Sequence, residues 1–294
     1  YGVNGQSLQL GSGITLQGFG ALTQSSAADI INNGNIVGNT VGQTFTVNPN
    51  SFINNGNMSV TAGTMTISPA STFGNNATRS ITAGAGTTLN IQPGVTFTNA
   101  GSVILGGAAH TIGTTNTTWT NTGSLALNSG SLILDGLHTT TNLTAYLAAG
   151  RYSRVAGTVF NFSGDLTNTG ILDIGGAGIF GAGGLNALNS GTIIGGTLVS
   201  NDGTALTSNS GVLDGVTLGS NFTFADSGFT LVRNSLTLAG GVTVNMGNHG
   251  WGFNTTGAQS IGGTGTINIA GGTIYAGYGV NGQSLQLGSG ITLQ

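Results

Sequence analysis

Residues 88–105 read TLNIQPGVTFTNAGSVIL. Leu89 and Ile91 alternate with Thr88 and Asn90, Pro93 breaks the run, Phe97 follows, Asn99-x-Gly101 makes a turn, and Val103 and Leu105 alternate again. Apolar residues at every second position mark a strand with one buried face. The same order occurs twice upstream: Thr44-Phe45-Thr46-Val47 leads to Pro49, Phe52 and Asn54-x-Gly56, and Thr64-Met65-Thr66-Ile67 leads to Pro69, Phe73 and Asn75-x-Ala77. Trp119 continues the aromatic series before Asn121-x-Gly123. A sandwich or propeller does not generate three diverged copies of one short coil in a row.

Working outward, the Asn-x-Gly pair recurs at Asn32/Gly34, Asn54/Gly56, Asn99/Gly101, Asn121/Gly123, Asn168/Gly170, Asn189/Gly191 and Asn209/Gly211, with Asn75/Ala77 as a degenerate member. Successive anchors lie about 20 to 24 residues apart, with one double gap between Gly123 and Gly170. Two and four places after the anchor the residues are mostly apolar, as in Ile36, Met58, Val60, Ile81, Val103, Leu105, Leu125, Leu127, Leu172, Ile174, Ile193 and Leu213. Between them stand Ser59, Ser80, Ala126, Asp173 and Asp214. The pattern predicts an all-β, parallel β-helix solenoid whose coils of roughly 22 residues each hold two or three short strands, stacked at about 4.8 Å. Glycine is expected to supply positive φ at the corners. Asn32, Asn54, Asn75, Asn99 and Asn121 are expected to stack into an amide ladder that satisfies polar groups at a turn.

A longer period encloses the short one. Residues 1–17, YGVNGQSLQLGSGITLQ, return unchanged as residues 278–294, a separation of 277. This predicts one β-helix module over 1–277 of about 12 coils, with 278–294 opening the next identical module, so that the chain reads as a window on a longer array. Twelve coils at strand spacing correspond to an axial repeat of about 58 Å.

Composition limits the partners. The chain has no Lys or Glu; its ionised side chains are seven Asp and four Arg (Arg79, Arg151, Arg154 and Arg233), and 56 of its 294 residues are Gly. Nucleic-acid binding needs clustered Lys and Arg to release phosphate counterions, and polybasic attachment to anionic membrane needs the same. Neither partner is expected. With no cysteine, disulfides and thiolate metal sites are excluded. No segment has the basic n-region and apolar run of a signal peptide, and no run of about 18 apolar residues could insert in a bilayer.

Asn121-Thr-Gly-Ser-Leu-Ala-Leu, Leu213-Asp-Gly-Val-Thr-Leu and Ser260-Ile-Gly-Gly-Thr-Gly-Thr-Ile resemble the low-charge repeats of giant bacterial surface proteins, the filamentous-haemagglutinin-like adhesins and autotransporter passengers. The resemblance covers most of the chain through loose, compositional motifs. It implies a right-handed parallel β-helix at the cell surface, outside the cell, in adhesion, matrix or sheath, and carries over no catalytic residue.

Three regions break the coil pattern and are expected to emerge as loops: residues 18–31, with Ser25-Ser26-Ala27-Ala28-Asp29 as a short helix or coil-edge excursion; residues 137–159, carrying His138, Tyr146, Arg151, Tyr152 and Arg154; and residues 245–253, carrying His249 and Trp251. Insertions of this kind are where solenoids place binding surfaces. Arg151, Tyr152 and Arg154 are the best candidates for a partner contact, since Arg and Tyr are enriched at interface hot spots; the alternative is that the arginines cap loop carbonyls. Asp173 and Asp214 fall at the same place after their anchors, about 10 Å apart over two coils. Inverting glycosidases hold their carboxyls about 6.5–9.5 Å apart. Ile194 stands between the two, however, and both point outward, so solvated surface acids are expected. Asp165, Asp202 and Asp226 read as turn-closing residues. Residues 175–184, GGAGIFGAGG, lack the Asp that a calcium-binding nonapeptide needs, and no EF-hand loop occurs. His110, His138 and His249 are spaced too widely for a zinc set and are expected in loops or at the surface. Ala239-Gly240-Gly241 and Ala270-Gly271-Gly272 precede no Lys-Ser/Thr, which excludes a phosphate loop. The Thr-x-Thr rows at Thr44 and Thr64 end at Thr88-x-Asn90, too few for an ice-binding array.

These readings converge on a structural or adhesive extracellular fibre of tandem modules on or around a bacterial cell. It is expected to be no enzyme, to need no cofactor or metal, and to have itself as principal partner, through end-to-end continuation and lateral bundling, with cell-surface glycans or other cells as further contacts. The alternative is a surface β-helix that binds or cleaves polysaccharide.

Overall fold

The computed structural model describes residues 5–24, 27–225 and 227–294. Nearly all of the chain is parallel β-sheet, in about 13 coils of about 22 residues, with a single helix at Thr140–Tyr146. It divides into two compact units, one of residues 1–137 and 144–159, the other of residues 138–143 and 160–294.

In the first unit a coil has three strands, as in Thr96–Asn99, Ser102–Leu105 and Ala109–Ile112. Like positions pair in parallel and in register: Leu89 stands between Met65 and His110, Val103 between Ile81 and Leu125, and Phe97 between Phe73 and Trp119. Inward positions are buried and outward ones are not, which is the alternation read from the sequence. Phe52, Phe73 and Phe97 stack with ring centroids 5.2 Å apart, and Trp119 follows at 6.4 Å. The expected amide ladder is present. Asn32, Asn54, Asn75 and Asn99 each donate Nδ2 to Oδ1 of the next, ending at Asn121, every bond being 2.8 Å. All five side chains are at most 1% exposed. Helix Thr140–Tyr146 supplies the terminus of both columns: Asn121 Nδ2 donates to the Tyr146 carbonyl at 2.9 Å, and the Tyr146 ring meets Trp119 edge-on at 5.4 Å.

Glycine supplies positive φ at several turns as expected, among them Gly63, Gly86 and Gly130, but not at the Asn-x-Gly corner. Gly34, Gly56, Gly101 and Gly123 are absent from the glycines with positive φ. What forbids a side chain there is the coil below: a Cβ on Gly56 would fall 1.9 Å from the Gly34 carbonyl oxygen, and one on Gly123 would fall 1.9 Å from that of Gly101. Coil stacking, rather than backbone handedness, selects glycine at this corner.

In the second unit several strands run on around corners, notably Thr207–Leu218, Phe229–Asn245 and Ala258–Asn268, with register shifts between Asp214 and Val216 and between Leu238 and Val242. Here the anchor alignment fails. Asn189 pairs with Asn209 as expected, but the Asn168 backbone N–H donates to the Ile194 carbonyl, so Asn168 and Asn189 stand at different corners. The cause is that Asn-x-Gly folds locally. In both units the glycine N–H donates to the Asn Oδ1, Gly34 to Asn32 at 3.1 Å and Gly170 to Asn168 at 3.2 Å. A self-contained turn carries no information about which corner it turns.

Of the three irregular regions, residues 18–31 form strands Gly20–Thr23 and Asp29–Asn32, with Ser25 and Ser26 outside the described residues. Of residues 245–253, Gly247 and Asn248 form an exposed turn as expected, but His249 and strand Gly250–Phe253 are buried.

Candidate functional site

The histidines were expected outside and lie inside. His110, His138 and His249 are 1%, 4% and 0% exposed. His110 occupies an inward position of Ala109–Ile112, in the column between Leu89 and Leu132. Its Nδ1 lies 3.2 Å from the Leu89 N–H nitrogen and its Nε2 3.1 Å from that of Gly107; a neutral imidazole has one acceptor nitrogen, so it accepts from one of them at a time. Burial lowers its pKa to about 4. His249 stacks on Phe224 at 4.4 Å, and its Nε2 lies 2.8 Å from Thr230 Oγ1, which donates to Ser208 Oγ at 2.8 Å. His138 packs at 5.6 Å from Phe162. Loop assignment failed because isolated polar residues were read without their register: Ala109-His110-Thr111-Ile112 sits where Thr88-Leu89-Asn90-Ile91 sits one coil earlier.

The carboxylates are regrouped. Asp214 shares its column with Ile194 and Thr167, whereas Asp173 pairs with Val199, so the two aspartates expected in one column are in two. The reason is that their anchors, Asn168 and Asn209, turn different corners. Asp173 instead meets Asp202, and both carboxylates converge beside Gly175, where a Cβ would lie 2.4 Å from Asp202 Oδ1 and 3.0 Å from Asp173 Oδ1. Asp173 Oδ1 accepts the Gly175 N–H at 2.8 Å, and its Oδ2 accepts Asn201 Nδ2 at 2.8 Å. Asp202 Oδ2 accepts the Gly176 N–H at 2.7 Å, and its Oδ1 accepts the Thr204 N–H at 3.0 Å. Hydrogen bonds from the Thr204 side chain, then from the Thr204 and Gly176 N–H groups, hold the Asp202 carboxyl below its ordinary pKa. An acid-base pair needs one carboxyl raised so that it can give up a proton near neutral pH. Asp202 is pushed the other way, as suits a carboxylate that closes a turn. Asp165 begins strand Asp165–Thr167 in a half-buried position, and Asp226 lies outside the described residues. Among the described residues no three His or Asp side chains gather as metal ligands.

The arginine cluster is drawn into its own loop. Strand Tyr152–Arg154 stacks on Leu125–Leu127, Arg151 Nη1 donates to the Ala145 carbonyl at 3.2 Å, and Arg154 donates from Nε to Thr158 Oγ1 at 3.1 Å and from Nη2 to the Thr158 carbonyl at 2.6 Å. Burial raises the Tyr152 phenol above its ordinary value, so the residue stays neutral. Arg233 Nε donates to Asn254 Oδ1 at 3.2 Å.

Arg79, which sequence reasoning passed over, stands apart. It is exposed and its guanidinium makes no hydrogen bond among the described residues. The signal was available: Asn75 pairs with Asn99 and Ile81 with Val103, so six residue steps match four; the corner holds two extra residues, and the Arg79 carbonyl accepts the Ser102 N–H as the Gly101 carbonyl accepts that of Ser124.

Among the described residues no helix is long and apolar enough to cross a membrane. Comparison of the chain with family models, with curated proteins and with solved structures found no match.

Proposed function

We propose that the chain is the repeating module of an extracellular fibre, structural or adhesive, in which modules continue one another end to end on or around a bacterial cell. One observation carries the reading. The tetrapeptide Ser-Leu-Gln-Leu forms a strand in both copies of the repeated segment, as Ser7–Leu10 and Ser284–Leu287. In the first copy it pairs with the following coil, Ser7 to Asp29 through Leu10 to Asn32. In the second it pairs with the preceding coil, Ala258 through Ile261. Together they specify both neighbours of one strand.

Among the described residues each copy shows one of those two neighbours, and its apolar side chains would be covered by the other. Leu8 and Ile14 are 48% and 50% exposed, and Leu287 and Leu293 are 40% and 41% exposed. Beside the second copy an open apolar hollow of about 400 Å³ is lined by Ile269, Ile274, Leu285, Leu287 and Leu293. A second copy of the chain offers the complement: its Asp29–Asn32 strand would seat on Ser284–Leu287 in the register that it already keeps with Ser7–Leu10. Open sheet edges with exposed apolar faces pair with whatever strand matches them. The low charge adds little repulsion between adjacent rods, which favours bundling.

Electron microscopy of the purified protein is the test. Long filaments with an axial period near the ~58 Å expected of twelve stacked coils are the predicted result; compact monomeric particles at all concentrations would overturn the reading. Cleavage of polysaccharide has less support, since the pair of carboxylates that converges among the described residues, Asp173 and Asp202, is bound up in backbone N–H groups.

A further inference from the structure

We infer that the Asn-x-Gly corner of the first unit, around Arg79, binds an extended acidic polysaccharide. Thr78 precedes Arg79 with φ +67°, a left-handed conformation unfavourable for a β-branched residue, and strain of this kind collects where a loop is held for a purpose. The Arg79 N–H closes the turn onto the Asn76 carbonyl at 3.2 Å, and the guanidinium is left facing solvent. The other three arginines are hydrogen-bonded within the chain. A neutral corner would not need this one.

Beside Arg79 runs a second amide row, on the outside of the corner. Asn55 Nδ2 donates to Asn33 Oδ1 at 3.0 Å, and Asn76 Nδ2 donates to Asn55 Oδ1. Each amide has two N–H bonds and two lone pairs, so the row keeps donors and acceptors free at every coil, about 4.8 Å apart. Ser12, Asn33, Asn55, Asn76 and Arg79 line an open groove of about 700 Å³. An adjoining groove of about 440 Å³ shares Arg79 and continues along Ser102, Thr122 and Ser124 to Arg151. No aspartate lines either.

The ligand follows from this chemistry. A repeating row of amides and hydroxyls matches a polymer bearing hydroxyls at regular intervals. The planar fork of Arg pairs bidentately with carboxylate. Two cations along the whole path are too few for a nucleic acid, whose affinity comes from many phosphate contacts. A uronate-containing glycan fits all three conditions. This inference does not rest on modules joining end to end, because the corner lies within one unit.

Affinity electrophoresis in gels containing polygalacturonate tests it, with the fully methyl-esterified polymer and poly-glutamate as comparisons. The protein should be retarded by polygalacturonate alone. Arg79→Gln should weaken retardation about tenfold, the loss of one charged hydrogen-bonding partner, while Arg233→Gln, in the other unit, should leave it unchanged. Arg79 is exposed, so the variant should keep the circular dichroism of the parent. Three results would overturn the inference: no retardation of the parent protein, full retardation of Arg79→Gln, or equal retardation by poly-glutamate, which would reassign the groove to anionic polymers of any kind.

Discussion

Asn99 shows how much one side chain can carry in a solenoid. It accepts from Asn75 and donates to Asn121, in a column sealed from water. Removing it strands a donor on one side and an acceptor on the other, and a buried unsatisfied polar group costs about 1–3 kcal/mol. Asn99→Ala should therefore lower unfolding stability by about 2–5 kcal/mol in urea titration, whereas Asn55→Ala, on the outer row and reachable by water, should change it by less than about 1 kcal/mol. His110 makes a second prediction. Its pKa falls from the ordinary 6.5 to about 4 on folding. Between those values the unfolded chain binds a proton that the folded chain refuses, so stability is full above pH 6.5 and declines as pH drops toward 4, by up to about 3 kcal/mol. Below pH 4 both states are protonated and the decline stops. His110→Leu, which matches Leu89 and Leu132 in its column, should flatten that part of the stability-pH profile measured by denaturation between pH 4 and 7.

Among the elements, the corner repays comparison because one motif meets two fates. Gly123 has the Gly101 carbonyl 1.9 Å from where a Cβ would stand, and Gly170 has nothing within 4 Å. Gly123→Ala should destabilise by about 1–3 kcal/mol as the coils are forced apart, and Gly170→Ala should be within about 0.5 kcal/mol of neutral; thermal melts of the two variants decide it. The same contrast explains what could be read in advance. Strand, proline, aromatic and amide repeat with the coil in residues 44–121, so the solenoid, its inner ladder and its aromatic column were legible in the amino acids alone. Past Gly123 the coils lengthen, a helix replaces a turn at Thr140–Tyr146, and Asn168-x-Gly170 and Asn189-x-Gly191 turn different corners. Alignment on that motif then misplaced Asp173, hid its approach to Asp202, and gave Asp214 a false companion. Column membership is set by pairing with residues more than 20 positions away, for instance Asp173 with Val199, and a local motif cannot encode it. The histidines were missed for a related reason: polarity was weighed at single positions, although the period of two already assigned His110 to the inner face.

At the scale of the whole molecule, charge is unevenly distributed. Of the four arginines only Arg233 falls in the unit of residues 138–143 and 160–294, and of the seven aspartates only Asp29 and Asp135 fall outside it. Neither the fold nor stability requires such sorting, since parallel pairing and apolar columns serve both units alike. Contacts in a solenoid run mainly between neighbouring coils, so stability is nearly a sum of coil and interface terms. The strand Ser-Leu-Gln-Leu has a further consequence. If modules join end to end as proposed, every one presents the same seam, and a seam opened by load could not tell its own continuation from that of an adjacent rod. Strand exchange at such points would knit separate filaments into a mesh without any dedicated cross-linking residue, and the density of knots would be set by how often seams open.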